Sequence, residues 1–180
     1  MDGQQAMTTD FVPADNARAF RHALGRFATG VTVITTMGPD GPVGFTANSF
    51  AALSLDPPLV LWSPARASAR FPLFSTAQAF AIHVLAADQA DIGARFVRGG
   101  AGFDGLDHAV PGGGLPGGRV LVDGVPVIPA ALARFDCRLH ATHDGGDHLI
   151  VVGHVTHAVF RDGAPLVFSQ GGYGGFVPHG

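Results

Sequence analysis

A chain of 180 residues, 47% hydrophobic and only 14% charged, suits one domain with a substantial core and is wrong for a disordered polypeptide. Its net charge of -3, with no basic stripe, argues against nucleic-acid binding. All 11 of its cations are Arg, so lysine Schiff bases and P-loop lysines are excluded, and an anionic ligand must meet Arg, backbone N–H groups or hydroxyls.

The single cysteine, Cys137, excludes an internal disulfide and any cysteine-rich metal cluster. No apolar run approaches the length needed to cross a membrane as a helix. The polar N-terminus lacks the layout of a signal peptide, so a cytoplasmic protein is expected. So few charges on a domain of this size predict apolar surface covered by a second subunit, a homodimer being the simplest case.

Residues 1–14 read as a flexible tail and 15–176 as one domain. Asp15 or Asn16 caps a predicted helix with Phe20, Leu24 and Phe27 on one apolar face, ended by Gly30. Val31–Thr36 is a β-branched strand. Gly38-Pro39-Asp40-Gly41 is turn chemistry, and Val43–Phe50 is the returning strand. Leu59–Trp62 and Phe80–Leu85 follow as strands, with a short helical or looping stretch around Phe71 and Phe74 between them. Asp88–Phe96 has the acidic start and late Arg95 of a helix. From Gly99 to Gly118 the chain is a glycine-rich loop. Ala131–Thr142 and His148–Phe160 are long alternating strands around Asp144-Gly145-Gly146-Asp147, the clearest hairpin in the chain. Leu166–Ser169 adds a last strand. Many strands with few helices predict a barrel, and the absence of a strand-GxGxxG-helix unit argues against a dinucleotide-binding parallel sheet.

Three stretches carry candidate chemistry. In Gly44–Pro58, GFTANSFAALSLDPP, small residues stand with Thr46, Asn48, Ser49 and Ser54. They suit the rim and face of a planar heteroaromatic ligand, though the residues alone read more readily as an ordinary strand and turn. Trp62–Arg70 places Arg66 and Arg70 with Ser63 and Ser68 just after a strand. That is phosphate-binding chemistry, or a solvated turn. His148 follows Gly146-Asp147 at a hairpin end, where it either contacts a ligand or lies exposed in a turn. The pairs His140/His143 and His154/His157 fall on opposite strand faces, which disfavours a metal site. Cys137 reads as a small core residue and Pro57-Pro58 as a brake on the strand.

Taken in order, the motifs resemble the short-chain flavin reductases. FRHALGRFATGVTVITT (residues 20–36), GFTANSF, SLDPPLVL, FAIHVLAADQ, Arg95-Phe96, Phe103-Asp104-Gly105, GGDH and Gly172-Tyr173 all fall at the family's spacing. The resemblance implies a mostly β protein, an antiparallel FMN-binding split β-barrel of Greek-key type with a few flanking helices, and usually a homodimer. It implies hydride transfer from NADH or NADPH to FMN or FAD, with reduced flavin passed to a separate monooxygenase. On that resemblance Thr46, Ala47, Asn48 and Ser49 line the isoalloxazine and ribityl chain, and Ser54 adds a polar contact. Ser63, Arg66 and Ser68 hold the phosphate beside Trp62, Phe96 and Tyr173 are further cofactor contacts, and His148 meets the nicotinamide. Trp62 is bulky for its place, and the Trp62–Arg70 stretch lacks the asparagine and threonine often found there. A flavin-dependent oxidase on a related barrel and a non-catalytic flavin- or haem-binding barrel are the alternatives.

Overall fold

The computed structural model describes residues 8–99, 102, 103, 106, 120–122, 124–128 and 130–178. In chain order the elements are α1 (Ala17–Leu24), β1 (Thr29–Gly30), β2 (Thr32–Gly38), β3 (Gly41–Ala47), β4 (Ala51–Leu55), β5 (Pro58–Trp62), α2 (Phe71–Phe74) and β6 (Ala79–Val84). A 3-10 turn, Ala87–Gln89, then leads into α3 (Ala90–Arg98). The chain closes with β7 (Val120–Val122), β8 (Val125–Val127), β9 (Ala133–Gly145), β10 (His148–Phe160), β11 (Leu166–Ser169) and β12 (Gly172–Gly175).

The main sheet has seven strands in the order β3-β2-β6-β9-β10-β5-β4, every pairing antiparallel. Its two edge strands, β3 and β4, are joined by Asn48–Phe50 alone. Laid flat, seven strands would hold those edges about 29 Å apart, whereas a linker this short reaches roughly 14 Å. The sheet must therefore curl until its edges meet, and the expected barrel follows from chain length. A small sheet, β1-β11-β12, and the β7-β8 hairpin complete the fold.

β2 shows why the sequence folds this way. Val31 through Thr36 are all buried, as the unbroken β-branched run predicts for a strand covered on both faces. Ile34 joins Val60, Trp62, Phe74, Phe80, Ile82, Cys137 and Val151 in one core. Val31 and Val33 join Leu85, Phe96, Phe103, Ile128 and Leu166 in the other. The buried threonines are satisfied: Thr32 Oγ1 donates to Ala47 O at 2.7 Å, Thr36 Oγ1 to Ala79 O at 2.8 Å, and Thr35 Oγ1 to Pro126 O.

His83 of β6 is also fully buried. Ile128 N–H donates to its Nε2 at 3.1 Å, which fixes Nε2 as an acceptor and leaves Nδ1–H to donate to Val33 O at 3.0 Å. Burial lowers its pKa to about 4, against the opposing pull of the Val33 carbonyl.

Several boundaries differ from expectation. α1 stops at Leu24, with Gly25 N–H bonded back to Arg21 O, so Gly30 belongs to β1 instead of ending the helix. Its predicted apolar face is not buried within the chain: Phe20, Leu24 and Phe27 are 43%, 59% and 78% exposed. The strand predicted to run to Phe50 breaks after Ala47, because the barrel closes there. β12 and the β7-β8 hairpin were too short and glycine- or proline-interrupted to predict. Most of the glycine-rich stretch 99–118 lies outside the described residues.

Candidate functional site

The site is built around the seam between the edge strands. Ser63 N–H donates to Ser49 Oγ at 2.9 Å, and Ser49 Oγ donates to Ser63 O at 3.2 Å. Ser63 directly follows β5, so these two bonds close the barrel beside Asn48. Thr46 Oγ1 donates to Gly93 O at 2.6 Å, docking α3 on β3. Both hydroxyls therefore bond to backbone, and the exposed Asn48 and the main chain are what the segment presents outward. Ala47 is buried at the end of β3, paired with Thr32.

From Ser63 the chain runs directly to the β9-β10 turn. Leu149 N–H donates to Pro64 O at 3.1 Å, Ala65 bridges His148, and Arg66 N–H donates to Asp147 O at 2.9 Å. Two motifs some eighty residues apart in sequence thus share one backbone junction. Arg66 Nε donates to Gly146 O and its Nη2 to Asp144 Oδ1, both at 3.0 Å. Its guanidinium also lies 5.5 Å from the Phe71 ring centroid. The hydrogen bond from Arg66 holds the Asp144 carboxyl below its ordinary pKa. The sequence marks Asp144 only as a residue of the hairpin turn; the signal for a larger role is its position at a hairpin end that also carries the GDH triplet.

Gly146 has φ +73°, the positive value that a glycine supplies at the first place of a two-residue hairpin loop. The turn presents His148, whose Nδ1 lies 2.8 Å from Asp147 Oδ1. Asp147 is held below its ordinary pKa by this hydrogen bond, and as a carboxylate it only accepts. Nδ1 therefore carries the proton, and Nε2 is the unprotonated nitrogen of a side chain 42% exposed.

Other predicted residues fall as follows. Ser68 Oγ accepts from Arg70 N–H at 3.3 Å and helps shape the turn before α2. Tyr173 is 42% exposed, and its hydroxyl lies 3.3 Å from where a Cβ on Gly93 would stand, beside the Thr46 docking point. Ser54 lies on β4 opposite Leu59, away from the junction.

Trp62 and Phe96, expected as further cofactor contacts, are both fully buried in this chain. Trp62 packs edge-on against Phe45, Phe74 and Phe80, and Phe96 against Phe103 and the bare Cα of Gly44. Each ring fills its own core, which a motif alone does not reveal.

The chain is thus an antiparallel split barrel with a polar seam and an aspartate-backed histidine beside it, the fold of the flavin reductases. The chain belongs to the flavin reductase like domain family, whose pattern matches residues 24–176. It is 57% identical over 167 residues to the FMN reductase (NADH) SmoA of Agrobacterium fabrum, covering 92% of this chain and 90% of that one. It is 41% identical to HsaB of Mycobacterium tuberculosis, a flavin-dependent monooxygenase reductase subunit, over 89% of this chain and 83% of that one. Among solved structures, the NADH:FAD oxidoreductase SgcE6 of Streptomyces globisporus superposes with a TM-score of 0.83 at 34% identity, over 97% and 96% of the two chains.

Proposed function

We propose that this protein is an NAD(P)H:flavin oxidoreductase that reduces FMN or FAD at the barrel seam and supplies reduced flavin to a partner monooxygenase. One observation carries the reading: the Thr46–Ser49 segment, the Ser63–Ser68 segment and the Gly146-Asp147-His148 turn converge through direct hydrogen bonds. The relative named FMN reductase (NADH) favours that pair of substrates. Relatives that are monooxygenase reductase subunits support the partner. Among the described residues no helix is long and apolar enough to cross a membrane. A cytoplasmic location, where reduced nicotinamide is made, goes with this reading.

The donor set fits a flavin. Small residues and main chain at Ala47–Ser49 leave room for a flat ring, and Arg66, 42% exposed at its side chain, is an accessible cation for a phosphate. Ser63 and Ser68 flank it. When bound, a flavin supplies the two-electron chemistry that the side chains lack, with reduced nicotinamide as the hydride donor. The protein contributes orientation. Asp147 fixes the His148 ring through Nδ1–H and leaves Nε2 to meet the nicotinamide carboxamide, while the rigid seam fixes the plane against which it stacks. The reading extends to a homodimer, supported by the apolar residues left exposed on α1 and β4.

Anaerobic bleaching of added FMN or FAD by NADH or NADPH tests the activity, and catalytic bleaching is expected. Tight flavin binding without bleaching would overturn it in favour of a passive binder or an oxidase. His148→Ala is expected to raise the nicotinamide KM more than it weakens flavin binding, measured by steady-state kinetics beside flavin fluorescence quenching. Equal losses would remove the assigned role.

A further inference from the structure

The Trp62–Arg70 stretch carries two arginines, and the structure gives them opposite tasks. Arg66 faces the turn and solvent. Arg70 turns inward, where Nη1 donates to Gly44 O at 2.9 Å, Phe96 O at 2.6 Å and Gly99 O at 3.2 Å, and Nη2 donates to Val97 O at 2.9 Å. Its guanidinium sits 4.4 Å from the Phe45 ring centroid.

This is a bridge between two elements. The carbonyls of Phe96, Val97 and Gly99 lie at the C-terminal end of α3, where helix carbonyls lack intrahelical donors and a cation is also favoured by the helix dipole. The Gly44 carbonyl belongs to β3. A guanidinium fork reaches all four acceptors from one rigid plane, which an ammonium on a flexible stem does not. The bridge is one of three ties between α3 and β3. Phe96 packs so closely on Gly44 that a Cβ there would stand 2.3 Å from its ring, and Thr46 Oγ1 bonds Gly93 O. Two of the three act on Gly44, at the middle of β3, and the third on Thr46, one residue before its end.

We propose that Arg70 is a positioning residue for the flavin site, acting through Gly44 and Phe45 to hold the Thr46–Ser49 seam at the height that a flat ring requires. It touches no substrate, and the proposal rests on the seam being the flavin site. Its signature is selective: loss of the bridge tilts the surface that receives flavin and leaves intact the Asp147–His148 pair, which is held separately by the Pro64–Arg66 junction.

The test uses the full chain with Arg70→Met, Arg70→Lys and Arg70→Ala. Arg70→Met is expected to raise the flavin KM about ten- to a hundredfold with the nicotinamide KM nearly unchanged. Arg70→Lys, keeping the charge but losing the fork, is expected to recover only part of this. Millimolar guanidinium added to Arg70→Ala is expected to restore flavin affinity where the same concentration of sodium chloride does not. A lowered melting temperature with an unchanged flavin KM would overturn the proposal, leaving Arg70 a plain helix cap. So would equal rises in both KM values, or full recovery by lysine. If Arg70→Met fails to fold, the Lys variant and guanidinium rescue decide. Failure of the wild-type chain to reduce flavin would instead sink the underlying reading, and is seen before any variant is made.

Discussion

Among the described glycines, Gly44 has the closest neighbour over its Cα. Its missing side chain is what lets Phe96 lie against β3, so Gly44→Ala overpacks a core that has no slack and is expected to cost about 1–3 kcal/mol. Urea denaturation reads this directly. Phe96→Leu in the same chain is expected to recover part of the loss, because it withdraws the ring atoms in conflict. At this scale the sequence was a partial guide. It singled out Thr46, Ser49, Arg66 and His148, since small hydroxyls, an arginine and a GDH turn carry recognisable chemistry. It did not show the direction of each side chain. Thr46 and Ser49 close bonds to backbone, and Trp62 and Phe96 fill cores. Direction depends on where the barrel closes, and closure is a long-range event that no window of neighbouring residues encodes.

Elements with one strong local cause were the legible ones. The β9-β10 hairpin announced itself through alternation and Gly146, and β2 through its β-branched run. α1 was misjudged in length and burial because its apolar spacing says only that a face exists, not what covers it. β6 carries a consequence that spacing alone does not reveal. His83 is held neutral, since protonating Nε2 would remove the acceptor for Ile128 N–H. With a folded pKa of about 4 against an unfolded value near 6.5, its stabilisation is complete above the unfolded pKa and is lost as pH falls toward 4. The loss is on the order of 3 kcal/mol. Thermal melts from pH 7 to pH 4 are expected to show a falling Tm, and His83→Gln to flatten that slope. A slope that survives the substitution would assign it to other groups.

For the whole molecule, the notable surface is apolar. Phe27, Leu55 and Phe160 are 78%, 97% and 86% exposed, and β4 is an edge strand with four of its five residues exposed. An uncovered edge of this kind invites pairing or burial by another chain. Analytical ultracentrifugation is expected to give a mass near twice 18.5 kDa. Leu53→Glu with Leu55→Glu is expected to shift it toward a single chain. A monomeric wild-type protein would require another cover for these residues. Composition hinted at this surface through its scarcity of charge, yet the placement of the patches came only with the fold.

The three-residue link Asn48–Phe50 works like the buckle of a belt. It sets the circumference of a seven-stranded hoop, and its outer side is the surface proposed to receive the cofactor. Curvature and recognition are therefore one variable in this molecule. Lengthening the link would loosen the hoop and move the seat together. A chain of this design has little freedom to drift in shape while keeping its site, and much freedom to vary on the strands opposite the buckle.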